Sequence, residues 1–114
     1  MYDIHDAPVF QLTFDLLKDY HLLRLKFPKT EKYSLGERIE DQLLAALIQI
    51  TEAGRAKKDY KIPPIEQAIA KIETVVILFR LAHEMKLIME KQYVDIQERL
   101  HRAGQMLGGW RRSC

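Results

Sequence analysis

The sequence has few of the residues that break helices or cross-link a chain. Its 114 residues include five glycines, four prolines and one cysteine, Cys114. Scarce Gly and Pro argue against a many-turned β protein, and a single cysteine excludes an intramolecular disulfide, which is typical of a reducing compartment. The longest nearly apolar run, residues 43–50, is far shorter than the roughly 20 residues that span a bilayer, and the acidic N-terminus lacks a signal-peptide pattern. We therefore expect a cytoplasmic protein with no membrane association.

Apolar residues recur at intervals of three and four in four segments, which is helical periodicity. Leu35, Ile39 and Leu43 illustrate the pattern, and no segment alternates as a half-buried strand does. Four helices joined by short connectors favour an antiparallel up-down-up-down bundle. The sequence therefore predicts an all-α protein with one domain, residues 1–114, and with helices at about 7–27, 34–54, 64–90 and 92–107.

Residues with known preferences for helix ends mark these boundaries. Asp6 is a predicted N-cap of the first helix, and Ser34 with Glu37 three residues later matches a capping box for the second. Gly54 fits the position after the second helix. Pro63-Pro64 begins the third helix, and Gly108-Gly109 is expected to end the fourth.

The second and third helices carry more apolar residues than one buried stripe requires. The second helix is apolar almost all round over 43–50, a stretch that includes Leu44, Leu47 and Ile48. In the third, Arg80 is the only charge between Glu73 and Glu84. Exposed apolar bands of this size mark partner surfaces, so we expect a homo-oligomer. The alternative is a monomer with a wide but concealed core.

No motif in the sequence supports catalysis or metal binding. His83-Glu84 begins a zinc-protease-like string, but Leu87 stands where the second histidine is required. Glu98 and His101 form one Glu-x-x-His, whereas a bundle di-metal site needs two, with two further Glu. We therefore predict no metal site, no cofactor and no enzymatic activity.

Charge is sorted along the chain although the net charge is only +2. Residues 1–54 carry a net −3 and residues 55–114 a net +5. In an antiparallel bundle the loop after the second helix and the end of the fourth share one pole, where Tyr60 and Trp110 offer stacking surfaces. This arrangement predicts a nucleic-acid site, and the alternative is a solvated loop with a basic turn that complements the helix dipoles. The candidate residues are Arg55, Lys57, Lys58, Lys61, Arg99, Arg102, Arg111 and Arg112.

Three segments resemble a known group of small four-helix proteins. The segment 27–39, Phe-Pro-Lys-Thr-Glu-Lys-Tyr-Ser-Leu-Gly-Glu-Arg-Ile, resembles the first helix junction of ribosomal RNA intervening-sequence proteins and of the accessory variability determinant (Avd) family of diversity-generating retroelements. The segments 79–85 and 104–110 favour the Avd branch, since the second is its Gly-Gly-Trp ending, followed by basic residues. Ala103 stands where the family pattern has Ile.

The resemblance implies a barrel-like homopentamer that binds a reverse transcriptase and nucleic acid, with template RNA as the ligand. It implies a non-catalytic accessory role in mutagenic cDNA synthesis and retrohoming. Arg80 and Trp110 lie in matched segments, and with Leu44, Leu47 and Ile48 they are the candidate partner or subunit interface. The alternative is an interaction protein of the intervening-sequence type without a polymerase partner.

Overall fold

Four long helices run in alternating directions in the computed structural model, which describes residues 3–114. Each long helix packs against two others, so that α1, α3, α4 and α5 form a closed ring of antiparallel neighbours measuring 44 × 21 × 21 Å. The described residues contain no strand. The all-α, four-helix prediction is confirmed. The elements are a 3-10 helix at Ile4–Asp6, α1 at Pro8–Arg24, a single turn α2 at Lys29–Lys32, α3 at Leu35–Arg55, a 3-10 helix at Lys58–Tyr60, α4 at Ile62–Glu84 and α5 at Glu90–Ser113.

The alternation of helix direction creates two ends with different contents. The end called here the terminal pole contains residues 3–9, 52–66 and 107–114. The end called here the distal pole contains residues 21–38 and 84–92. Each pole therefore draws residues from both halves of the chain.

Several helix ends differ from the sequence prediction. Ala7, not Asp6, is the N-cap of α1, because residues 4–6 form a 3-10 turn of their own. Ser34 makes no capping bond to α3; its hydroxyl donates instead to the Thr30 carbonyl at 2.7 Å, four residues back. Gly54 lies inside α3, which ends at Arg55.

The fourth long helix passes through its glycines without interruption. Gly108 and Gly109 lie within α5 with negative φ, so the predicted stop at this pair is wrong. An α-helical φ costs glycine only about 1 kcal/mol relative to Ala, and this cost does not end a helix that is anchored by packing. Leu107 and Trp110, on either side of the pair, both pack into the core.

α4 ends six residues earlier than predicted, at Glu84, and α5 begins two residues earlier, at Glu90. The Leu87 amide donates to the Ala82 carbonyl and the Lys86 amide to the His83 carbonyl, both at 2.9 Å, which is a Schellman motif. Lys86 occupies the left-handed position of this motif, with φ 62°, where glycine is the usual residue. The Gln92 side chain then accepts from the Met89 amide at 2.9 Å and begins α5.

A buried tyrosine joins three of the long helices. The Tyr20 hydroxyl, on α1, donates to the Gly36 carbonyl at the start of α3 at 2.9 Å. The ring packs edge-on against Phe79 of α4, with centroids 5.1 Å apart, and against Phe27. Burial raises the pKa of the Tyr20 phenol well above its ordinary value of 10.0, an effect that the charge of Arg24 opposes.

The N-terminal turn is seated on α3 through a glycine. A Cβ on Gly54 would lie only 2.4 Å from the Ile4 Cγ1 atom, so no larger residue fits without displacing this turn. Gly54 is therefore required for close approach and not for a helix end. The contact holds residues 4–6 at the terminal pole.

Replacing Lys86 with Gly should stabilise the protein, because a Cβ in the left-handed region costs roughly 1 kcal/mol. We expect the free energy of unfolding in urea to rise by about 0.5–1 kcal/mol. Lys86→Ala is the matched control, since it removes the same charge and keeps the Cβ. A Gly variant no more stable than the Ala variant would contradict the assigned backbone strain.

Replacing Tyr20 with Phe should destabilise the fold by about 1–2 kcal/mol at neutral pH, because the buried Gly36 carbonyl loses its donor. The folded state favours the neutral phenol, so the stability that Tyr20 contributes is complete below pH 10. It is lost as the pH rises beyond 10, by up to about 1.4 kcal/mol per pH unit. The difference between wild type and Tyr20→Phe in urea unfolding should therefore shrink between pH 9 and pH 11. A constant difference would mean that the phenol ionises freely in the fold.

Candidate interaction surfaces

The loop after α3 and the end of α5 meet at the terminal pole. Arg111 donates from Nε and Nη2 to Glu66 Oε2, at 3.1 and 2.9 Å, and this pair joins the end of α5 to the second turn of α4. Lys61 Nζ donates to the Ala53 carbonyl at 2.8 Å and so caps the end of α3. The structure therefore brings together the loop cations and the C-terminal cations that the sequence placed at one pole.

These contacts leave the terminal pole with little excess of positive charge. Arg111 is paired with Glu66 and Lys61 is committed to α3, whereas Arg55, Lys57, Lys58 and Arg112 are exposed. Carboxylates from the N-terminal turn and from the flanks of the loop share the same end. In total the pole holds six cations, Arg55, Lys57, Lys58, Lys61, Arg111 and Arg112, and five carboxylates, Asp3, Asp6, Glu52, Asp59 and Glu66.

Arg99 and Arg102 lie outside the terminal pole. Arg99 is 12 residues before Arg111 on α5, which is about 18 Å along the helix axis. Its Nη1 atom donates to Asp19 Oδ2 at 2.8 Å, and its Nη2 atom lies 3.2 Å from Asp95 Oδ2. The bond to Asp19 raises the pKa of the Arg99 guanidinium above its ordinary value.

Arg102 lies on the same side of the bundle as Arg99. It lines a groove between α1 and α5 that also contains four carboxylates. Arg99 and Arg102 therefore balance an acidic flank and do not extend the terminal pole. The carboxylates are Asp15, Asp19, Asp95 and Glu98.

The two aromatic residues predicted as stacking surfaces have different environments. Tyr60 is exposed beside the loop cations. Trp110 is partly buried against the core, and it lines a groove with Ile4, Val9 and Met106. The structure therefore gives Trp110 a packing role within the chain, and only Tyr60 presents a largely open ring at the terminal pole.

The distal pole has a larger cationic excess, which the division of the sequence into halves conceals. Tyr33 is 63% exposed there, and the Arg24 guanidinium carbon lies 5.9 Å from its ring centroid. The tertiary fold therefore makes this end the more basic one. It holds seven cations, Arg24, Lys26, Lys29, Lys32, Arg38, Lys86 and Lys91, and four carboxylates, Glu31, Glu37, Glu84 and Glu90.

Apolar side chains are exposed along α3 and α4. Leu44 and Ile48, one turn apart on α3, are 45% and 48% exposed. Leu47 is only partly exposed and lies in a groove beside Phe10 of α1. On α4, Ile77 is also exposed. Leu44 and Ile48 are therefore more accessible to a partner than Leu47 is.

A groove of about 830 Å³ runs between the first half of α3 and the second half of α4. Leu35, Leu78, Leu81 and Met85 supply its apolar surface, and charged residues of α3 line its edge. The groove opens toward the distal pole, because Tyr33 of the connector also lines it.

Arg80 is paired within its own helix. Its side chain is 72% exposed, and Nε lies 3.5 Å from Glu84 Oε2, one turn further along α4. The exposed position means that the side chain needs no buried partner within the chain. It leaves Arg80 accessible to a second subunit or to another protein.

Two of the four histidines join helices. His83 Nε2 lies 2.6 Å from Glu90 Oε2, and its ring stacks on Tyr93 with centroids 4.2 Å apart, across the α4–α5 turn. His21 Nδ1 lies 2.9 Å from Glu40 Oε1 and connects α1 to α3. Within residues 3–114, no three His, Cys, Asp or Glu side chains are grouped as metal ligands.

The helices of residues 3–114 include none with the length and hydropathy needed to cross a membrane. The chain forms a four-helix bundle with exposed apolar helix faces and an acidic flank. Both ends of the bundle are charged, and the distal pole has the larger excess of cations over carboxylates. These features define a helical-bundle protein whose candidate sites lie on its outer surface.

The chain belongs to the bAvd-like family, whose model matches residues 9–114. The match confirms the resemblance to the accessory variability determinant, and it includes all four long helices except Pro8. Proteins of this family are of an accessory, non-catalytic type. Comparisons with curated proteins and with solved structures found no match.

Proposed function

We propose that this protein is a non-catalytic accessory factor of a diversity-generating retroelement. It acts as a homopentamer in the cytoplasm, where it binds the element's reverse transcriptase and nucleic acid, with template RNA as the ligand. In this role it supports mutagenic cDNA synthesis and retrohoming. The observation that carries the proposal is the match of residues 9–114 to the bAvd-like family.

The exposed apolar residues support an assembly. Leu44 and Ile48 on α3 and Ile77 on α4 are large apolar side chains that the core of a single bundle leaves exposed. Burying such side chains stabilises a contact by about 25 cal/mol for each Å² of apolar surface removed from water.

The charge pattern supports a polyanionic ligand. A +2 chain is close to neutral, but five copies carry a formal charge of about +10 and repeat the exposed cations of each chain around the particle. Repeated phosphate contacts strengthen binding and its dependence on salt.

The decisive experiment is co-purification with the reverse transcriptase of the proposed retroelement. We expect the tagged protein to retain that enzyme after nuclease treatment, because direct protein contacts survive the loss of RNA. A retroviral reverse transcriptase, expressed in the same way, is the control and should not be retained. Loss of the cognate enzyme on nuclease treatment would contradict a direct contact. A stable oligomer that never retains the enzyme would favour the intervening-sequence type of protein.

Replacing both Leu44 and Ile48 with Glu should dissociate the oligomer, because it places two desolvated charges in an apolar contact. Light scattering after gel filtration should then report about 13 kDa in place of about 67 kDa, five times the 13.4 kDa chain. The helical circular dichroism should be unchanged, since both side chains lie on the surface.

The matched control for this variant is Val94→Glu. Val94 is 52% exposed on α5, and the residues one turn away on either side are polar, Glu90, Lys91, Gln97 and Glu98. It should remain assembled. If the Leu44/Ile48 variant also remains assembled, the subunit contact lies on another face.

A further inference from the structure

We propose that the distal pole, and not the terminal pole, is the main contact for the nucleic-acid backbone. The inference rests on the proposed nucleic-acid binding and assigns it to a surface that the sequence alone did not indicate. The distal pole holds two more cations than carboxylates even when Glu40, the partner of Arg24, is counted with it, and the terminal pole holds only one more.

The distal cations are available for an external partner. Within residues 3–114, six of the seven have no carboxylate oxygen within 4 Å, and only Arg24 is paired, with Glu40 at 3.4 Å. Two of the four distal carboxylates are already engaged, Glu84 by Arg80 and Glu90 by His83. The six available cations are Lys26, Lys29, Lys32, Arg38, Lys86 and Lys91.

The fold holds this surface in place. Arg24 Nε donates to the Lys32 carbonyl at 2.7 Å, which attaches the connector to the end of α1. Phe27 is buried between them, and its ring packs on Tyr20. Lys86 lies in the Schellman turn itself, and Lys91 lies in the first turn of α5. The cations therefore project from a rigid end and lose less conformational freedom on binding than those of a disordered tail.

The two halves of the cationic surface are adjacent. Tyr33 and Ser34 of the connector line the same groove as Leu81 and Met85 at the end of α4. The bundle is 21 Å across, so a segment of only a few nucleotides reaches from one half to the other. One short segment of nucleic acid therefore contacts both halves at once.

The exposed side chains among the lysines favour a single strand. Tyr33 is the open aromatic residue of this pole, and Leu25, Met85 and Met89 are exposed apolar neighbours. Cations interleaved with aromatic and apolar surface bind the phosphates and the base faces of single-stranded nucleic acid together. An acidic protein surface would use the same cations, and the experiment below separates the two partners.

The test compares two variants of the full chain with the same change in charge. The distal variant carries Lys29→Glu, Lys86→Glu and Lys91→Glu, and the terminal variant carries Lys57→Glu, Lys58→Glu and Arg112→Glu. All six residues are exposed, and none has a described carboxylate partner. Circular dichroism and light scattering establish that both variants are folded and assembled as the wild type is.

The probe is a fluorescein-labelled 20-nucleotide uridine homopolymer, measured by anisotropy between 50 and 200 mM KCl. We expect the distal variant to bind at least about tenfold more weakly at 100 mM, with a salt slope lower by about 2, since each lost phosphate contact removes roughly 0.7 for single strands. The terminal variant should stay within about threefold of wild type.

The outcomes are distinguishable. A terminal variant that loses as much affinity as the distal variant, or more, overturns the assignment of the pole and leaves the proposed nucleic-acid binding intact. A distal variant that keeps its affinity for RNA and loses the reverse transcriptase overturns the assignment in favour of a protein contact. A wild-type protein with no affinity for the probe at 50 mM overturns both the assignment and the proposed binding.

Discussion

The buried phenol of Tyr20 is the interaction on which the arrangement of the helices depends. It lies where α1 ends and the chain reverses, donates to the Gly36 carbonyl at the start of α3, and packs edge-on against Phe79 of α4. One side chain thus connects three of the long helices. It also anchors the connector, because Phe27 packs against the same ring. Because the connector is anchored in this way, its lysines hold fixed positions at the distal pole.

The reversal of each helix determines which charges become neighbours. A division of the sequence at residue 54 separates a net −3 from a net +5, but each half contains one upward and one downward helix. Both poles therefore receive residues from both halves. The terminal pole gains Asp3 and Asp6 from the start of the chain, which offset its cations, and the distal pole gains Lys26 and Lys29. Charge sorting along a chain is thus a poor guide to charge sorting in an antiparallel bundle.

Periodicity predicted the helices well and their ends less well. The second predicted helix, 34–54, differs from α3 by one residue at each end. The predicted end of the third was wrong by six residues, since a Schellman turn formed around Lys86, where a lysine carries no turn signal. Among the candidate site residues, Leu44 and Ile48 are exposed, whereas Arg99 is held by Asp19 and Trp110 packs against the core beside the N-terminal turn. Those two partners are distant in the sequence, so no local pattern indicated them.

The sequence by itself determined the all-α class, the four helical segments and the membership of the bAvd-like family, because helical periodicity and family motifs are properties of short or consecutive stretches. Only the tertiary structure decided which cations are paired, which apolar residues remain exposed, and which end of the bundle is the more basic. Those properties depend on contacts between residues such as Arg111 and Glu66, which are 45 positions apart. Packing of the helices brings such groups together, and this packing is a property of the whole chain.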